Sequence, residues 1–175
     1  MVVIMVGLPG TGKTTLSRSI LENLPGAHFN KDDVRAALFL PEDIDYTRAQ
    51  DDLCIEVILV AASYLLQKDP TRLIVLDGRP FSRRVDRERV VAWAKASNAK
   101  WLMIKCVCSD ANAKERIESA SSHAAKNRDF ALYSSLKASF EPLTEPHLVV
   151  NTDRSLDECV CLCVEYIQSN PAPGC

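Results

Sequence analysis

The chain has 175 residues, 47% hydrophobic and 25% charged, an ordinary balance for one globular domain. At this length roughly 70% of the unfolded surface can be buried, so the fold needs no disulfide or structural metal to hold it. A formal net charge of −2 offers no basic field for a long nucleic acid, whose affinity comes from phosphate neutralisation.

Val2–Val6 is an apolar run of strand length. A Gly-rich turn follows, then a helix from about Lys13 to Asn23. Ala27–Asn30 reads as a short second strand, and a helix runs from about Asp32 to Phe39. A long helix covers Arg48 to Lys68. Leu73–Leu76 is a third strand that ends at Asp77. Asp86–Ser97 reads as helix and Trp101–Val107 as a fourth strand. Asn112–Ser121 and Asp129–Phe140 read as helices around a polar stretch. Leu148–Val150 is a last short strand and Leu156–Ile167 a last helix. Strands alternating with helices argue for an α/β fold, a mostly parallel five-stranded sheet covered on both faces. One domain is expected over residues 1–170, with a lid at about 112–130 and a frayed tail at 171–175.

No run of 18 apolar residues is present, so no membrane helix is expected. The strand-like Met1–Val6 start lacks the regions of a signal peptide, which makes the cytoplasm the expected location. Seven cysteines include the pair Cys106 and Cys108 on a strand and Cys159 and Cys163 on one helix face. Without a CxxC pair or a Cys/His cluster they read as small buried hydrophobes in a reducing compartment rather than as metal ligands.

A parallel sheet of this kind places ligands at the carboxyl ends of its strands. Gly7-Leu8-Pro9-Gly10-Thr11-Gly12-Lys13-Thr14 stands there and matches GxxxxGK[ST] at every position. It lies between a buried strand and a helix, the context this P-loop requires. Its glycines let backbone N–H groups turn toward phosphate oxygens, and the helix N-terminus adds its dipole. Pro9, Thr11 and Thr15 complete the cradle. Lys13 should reach the β- and γ-phosphates of ATP, and Thr14 should place its hydroxyl on Mg²⁺. Asp77, at the end of the third strand, is a second candidate ligand for Mg²⁺, or else a turn aspartate.

Asn30-Lys31-Asp32-Asp33-Val34-Arg35 follows the second strand. A carboxylate here, Asp32 or Asp33, can orient an attacking hydroxyl against the γ-phosphate. Arg35 lies three residues after Asp32 and can bind an anionic part of an acceptor; helix capping and a surface arginine are the plainer alternative. Arg79 in Asp77-Gly-Arg-Pro80 is either an acceptor-reading residue or part of a solvated helix start that Arg87 and Arg89 continue. The long helix supplies a cleft wall with Tyr46, Arg48 and Asp52 near its start, but no site is assigned to it.

These motifs occur in the same order in small P-loop kinases, and the chain resembles that group. It includes 5′-polynucleotide kinase domains, zeta toxins, chloramphenicol phosphotransferases and adenylylsulfate kinases. GLPGTGKTT, NKDDVR, VLDGRP and the stretch Phe140-Glu-Pro to Asn151-Thr152 carry the resemblance over nearly the whole chain. The resemblance implies that Asp32 is the general base, that Arg35 reads an acceptor phosphate, and that Asp77 is the acid of the third strand. It places Thr152 and Asp153 near the adenine base. It implies two lid arginines about four residues apart: Arg116 matches the first, whereas Ala120 stands where the second is expected. Arg128 or Lys126 could replace it.

The resulting expectation is an ATP- and Mg²⁺-dependent kinase acting on a hydroxyl of a small anionic or polar acceptor. A short 5′-hydroxyl oligonucleotide is the alternative acceptor. A nucleotide-dependent switch, or an inactive kinase relative, is the alternative of another class.

Overall fold

The computed structural model of the protein describes residues 1–119 and 129–171. Its elements run β1 (Val2–Val6), α1 (Lys13–Asn23), β2 (Gly26–Asn30), α2 (Lys31–Leu38), α3 (Arg48–Lys68), β3 (Leu73–Asp77), α4 (Arg84–Ala96), β4 (Trp101–Val107), α5 (Asp110–Ser119), α6 (Phe130–Ala138), β5 (Leu148–Asn151) and α7 (Leu156–Gln168). A single 3₁₀ turn, Pro41–Asp43, precedes α3. Every expected element is present. The lid expected at 112–130 spans α5 and the segment 120–128, and the latter lies outside the described residues, as does most of the expected tail.

The sheet has the order β2-β3-β1-β4-β5. All four pairings are parallel, so the sheet is more uniform than the mostly parallel one expected. β1 and β3 are buried throughout, which is why they read as continuous apolar runs. The period-2 pleat of β1 divides the core into two layers. Val2, Ile4 and Val6 pack with Ile55, Ile58, Ala62 and Leu66 of α3 and Val90 and Ala94 of α4. Val3 and Met5 pack with Leu16 and Ile20 of α1 and Cys159, Cys163 and Ile167 of α7.

Three of the cysteines, Cys106, Cys159 and Cys163, lie in the second of these layers. Cys54, Cys106, Cys159 and Cys163 are buried with free thiols, Cys108 is half-buried and Cys161 is exposed. Burial pushes the thiols of Cys106 and Cys163 up to about 12, so they stay protonated and unreactive. No described helix is long and apolar enough to cross a membrane.

The strand order reverses at β1. The chain moves to β2 and β3 on one side, then crosses to β4 and β5 on the other. The carboxyl end of β1 is therefore the switch point where an open parallel sheet binds ligands. The P-loop starts there, and Asp77 and Asn30 stand level with one another on the two neighbouring strands.

Candidate active site

The P-loop leaves β1 through backbone that only glycine takes easily. Gly10 and Gly12 have φ of 78° and 76°. At Gly7 a Cβ would stand 2.5 Å from the Cys106 carbonyl, and at Gly10 one would stand 2.6 Å from the Ala113 carbonyl. The loop is thus wedged between β4 and α5. Its first N–H, that of Gly7, donates to the Pro80 carbonyl at 3.1 Å. Thr11 donates its hydroxyl to Leu8 O at 2.7 Å. Lys13 folds back over the loop, its Nζ donating to the carbonyls of Gly7 and Leu8 at 2.8 Å each.

Asp77 is 1% exposed. Its Oδ2 accepts from Asn30 Nδ2 at 3.0 Å and from Ser17 Oγ at 3.4 Å, with His28 Nε2 3.4 Å away. Burial pushes this carboxyl up, but His28, the Lys13 ammonium, the nearby Thr14 hydroxyl and the Gly78 N–H together outweigh it. The group titrates at about 2 and remains an anion at neutral pH. Its other oxygen, Oδ1, is buried without a hydrogen-bond partner. An orphaned carboxylate oxygen beside Thr14 suits a hard cation with oxygen ligands. Among the described residues no cluster of three or more His, Cys, Asp or Glu could hold a metal. A Mg²⁺ held here would take few protein ligands and fill its shell with water and phosphate.

Asn30 joins this acid to the acceptor side. While its Nδ2 donates to Asp77, its Oδ1 accepts from the N–H groups of Asp32 and Asp33 and so caps α2. Gly78, at φ 83°, clears the space: a Cβ there would lie 2.5 Å from Asn30 Oδ1. Asp32 is buried and faces inward. It accepts from Arg35 Nη1 at 2.8 Å and lies 3.2 Å from Lys31 Nζ. Asp33 also lines the cavity but is exposed, with Arg18 at 4.0 Å. Arg35, 2% exposed, also contacts Asp51 through Nη2 and lies over the Tyr46 ring at 5.0 Å. Lys31 reaches the same Asp51 oxygen at 2.8 Å.

Arg79 is buried and is not part of a solvated helix start. It holds Asp52 at 2.7 Å and Asp86 at 3.2 Å, and Arg48 reaches the same Asp86 at 2.6 Å. Arg87, read from the sequence as part of a charged face, is 0% exposed. Its guanidinium is taken by Glu145 at 3.0 Å and by the carbonyls of Phe81 and Pro142 at 3.1 and 2.9 Å. The reason is tertiary: the segment before β5 folds over α4.

Arg116 reaches the P-loop from α5. Nη1 donates to Thr152 Oγ1 at 3.0 Å and, more weakly, to Gly10 O at 3.4 Å; Nη2 donates to Thr152 O at 2.7 Å. Thr152 also reaches Thr11 O and Val107 O at 3.2 Å. Asp153 sits close by with both oxygens taken, one by the Ser109 N–H and one by Asn112 Nδ2. It braces the start of α5. Arg128, Lys126 and Ala120 lie outside the described residues.

One cavity of about 710 Å³ unites these parts. Pro9, Gly10, Gly12, Lys13, Thr14, Thr15, Asp77 and Arg116 line its nucleotide half. Lys31, Asp32, Arg35, Arg48, Asp51 and Arg79 line the other, and Leu132 and Leu136 of α6 add an apolar wall. Asp51 is the notable omission from the sequence reading. Its helical position is ordinary, and only the packing of α3 against α2 brings it to Lys31 and Arg35.

A family model described as AAA domain matches residues 2–143. No curated protein matches the chain significantly in sequence. Solved structures match it along its length. An APS kinase of Mycobacterium tuberculosis in complex with AMPPNP and APS is 16% identical, with 95% of this chain and 96% of that chain covered and a TM-score of 0.71. A gluconokinase from Sinorhizobium meliloti 1021 is 18% identical, with 96% and 97% covered and a TM-score of 0.63. Kti12 of Chaetomium thermophilum, in complex with ADP-AlF3, is 14% identical, with 98% and 100% covered and a TM-score of 0.71. At these identities the shared property is the fold, a P-loop kinase-like α/β domain.

Proposed function

The chain belongs to the AAA-domain family, and from that premise we propose that it is an ATP-dependent phosphotransferase. It moves the γ-phosphoryl group of Mg-ATP to a hydroxyl of a small acceptor. The observation that carries this reading is that a phosphate cradle and an inward-facing carboxylate, Asp32, line the same cavity.

The geometry supports a role for each described residue. P-loop N–H groups and Lys13 hold the phosphates once the ammonium leaves its loop carbonyls. Thr14 and Asp77 would hold Mg²⁺, which would supply charge neutralisation for the phosphates. Asp32 orients the acceptor hydroxyl and takes its proton as the hydroxyl oxygen bonds to the γ-phosphorus. The bond from that phosphorus to the bridging oxygen breaks, and ADP leaves. Arg116 stands beside the P-loop, where it can turn from Thr152 to the transferring group. Arg128 is proposed to assist from the lid.

The ion pairs of Asp32 with Lys31 and Arg35 favour the second reading, a nucleotide-dependent switch or inactive relative, because they engage the carboxylate that would otherwise meet an acceptor hydroxyl. Acceptor-dependent ADP release decides between them. Protein, ATP and Mg²⁺ are given separate pools of small hydroxyl compounds and 5′-hydroxyl oligonucleotides. A rise with a small-molecule pool, lost in Asp32→Asn, supports the phosphotransferase. A rise with oligonucleotides alone moves the acceptor to a nucleic-acid end. Tight ATP binding with no response from any pool supports the switch.

A further inference from the structure

Lys31, Arg35, Arg48 and Arg79, which line the acceptor half of the cavity, are all held by carboxylates, and that restricts what this floor can take. Lys31 and Arg35 each contact both Asp32 and Asp51. Across from them Arg79 and Arg48 each contact both Asp52 and Asp86. Four cations are therefore matched by four carboxylates, and every cation is shared between two of them.

Asp51 has no task in phosphoryl transfer. It comes from the first turn of α3, a different element from the base, and stands against the cationic groups that an anionic acceptor would need. An acceptor phosphate, sulfate or carboxylate binds best to a two-pronged guanidinium edge. In Arg35 one terminal nitrogen is given to Asp32 and the other to Asp51, while Tyr46 covers the face. Its Nε is buried and has no hydrogen-bond partner. An anion entering here would also meet the Asp51 charge at short range in a poorly solvated site, where like charges repel strongly.

We propose that Asp51 is an acceptor-specificity residue that reserves this floor for an uncharged, hydroxyl-rich compound. Lys31 and Arg35 donate to its hydroxyls, and Asp51 accepts from them. Arg83, exposed at the cavity rim, makes no ion pair among the described residues, so any anionic group of the acceptor sits out there and not on the floor. The turnover consequence rests on the phosphotransferase reading; the charge selection can be measured by binding alone.

The binding test is calorimetric titration of inorganic sulfate into protein loaded with Mg-AMPPNP, which fills the phosphate cradle, in an Arg83→Gln background that removes the rim charge. With Asp51 in place no saturable binding is expected. Asp51→Asn frees Lys31 and the Arg35 edge and should tighten sulfate binding about 10-fold or more. Saturable sulfate binding with Asp51 present, equal to or tighter than in Asp51→Asn, overturns the proposal. The turnover test compares ADP release with glucose and adenosine against their phosphate esters. The neutral member of each pair should be preferred about 10-fold in kcat/KM, and Asp51→Asn should narrow the gap. Preference for the esters by the wild type overturns the proposal. If no compound raises ADP release while sulfate still binds tighter to Asp51→Asn than to its parent, the transfer reading fails and the charge selection stands.

Discussion

Asn30 Nδ2 donates to Asp77 Oδ2 at 3.0 Å, while the same side chain's Oδ1 accepts from the Asp32 N–H at 2.8 Å. One amide thus ties the candidate metal acid to the helix that carries the candidate base. Its orientation is fixed, because the carboxylate needs a donor and the N–H needs an acceptor. Asn30→Ala removes a helix cap and a buried partner of a carboxylate. The cap is worth about 1 kcal/mol and the buried partner about 1–3 kcal/mol. Denaturant unfolding should therefore show a loss of about 2–4 kcal/mol. Asn30→Asp keeps the cap but sets a second carboxylate against Asp77, and it should lower kcat further than Asn30→Ala does. Unfolding of Asn30→Ala at the wild-type midpoint would remove the assigned double role.

The two neighbouring aspartates both line the cavity and are separated by burial. Asp32 is buried in the cavity wall, and Asp33 is exposed beside Arg18. Asp32→Asn should cut kcat by roughly 10²–10⁴ and leave nucleotide affinity within a few-fold. Asp33→Asn should leave both nearly unchanged. Steady-state kinetics with any acceptor that raises ADP release compare them directly, and a larger effect at Asp33 would reverse the assignment.

Much of this is legible in the sequence because its causes are local. The strands that flank the P-loop are continuous apolar runs, and the loop's glycines announce a backbone that turns against phosphate. Asp32 and Asp77 stand out because they follow strands in a parallel sheet. Asp51 does not, because nothing on its own helix distinguishes it and α2 must pack beside α3 before it meets Lys31 and Arg35. Arg87 escapes a sequence reading for a similar reason. Its neighbours Arg84 and Arg89 are surface residues, and only the distant Glu141–Glu145 stretch makes it interior. Asp153 is assigned to the nucleotide by resemblance, whereas Ser109 and Asn112 occupy its carboxylate.

Lys13 rests on the Gly7 and Leu8 carbonyls. Its replacement by alanine removes the phosphate-binding ammonium and the loop's own clasp together. Removing one preorganised transition-state donor costs about 10²–10³ in rate, so Lys13→Ala should lower kcat/KM at least that far. Calorimetry with AMPPNP should show weakened binding as well. Unchanged affinity and rate would refute the phosphate-cradle assignment.

Asp77 makes a signed prediction about acid. Its carboxyl is lowered from an ordinary 3.8 to about 2 in the folded protein. A depressed carboxyl contributes stability that is complete above the unfolded value and disappears as pH falls through the folded one. A shift of this size corresponds to roughly 2 kcal/mol. The stability difference between wild type and Asp77→Asn should therefore shift against the wild type by about that amount between pH 5 and pH 2. Urea unfolding at both pH values measures it, and parallel pH profiles for the two proteins would contradict it.

Arg87 bears on the phosphate cradle from a distance. It donates to the carbonyl of Phe81, a buried residue at φ 51°, and the preceding Pro80 carbonyl receives the first N–H of the P-loop. On its other side it neutralises Glu145 and binds Pro142 O. Positive φ at a bulky residue is costly and persists only where surrounding contacts impose it. Arg87→Ala leaves a carboxylate and two carbonyls without their partner, a loss of about 3–5 kcal/mol. For a domain of this size that lowers the Tm by roughly 6–20 °C. Arg87→Lys keeps the charge but cannot reach all three acceptors at once, so it should recover only part of the loss. If the arginine also sets the loop, Arg87→Lys at a temperature where it remains folded will bind AMPPNP more weakly than wild type. A Tm within a degree or two of wild type for Arg87→Ala would show that the loop holds its shape without this anchor.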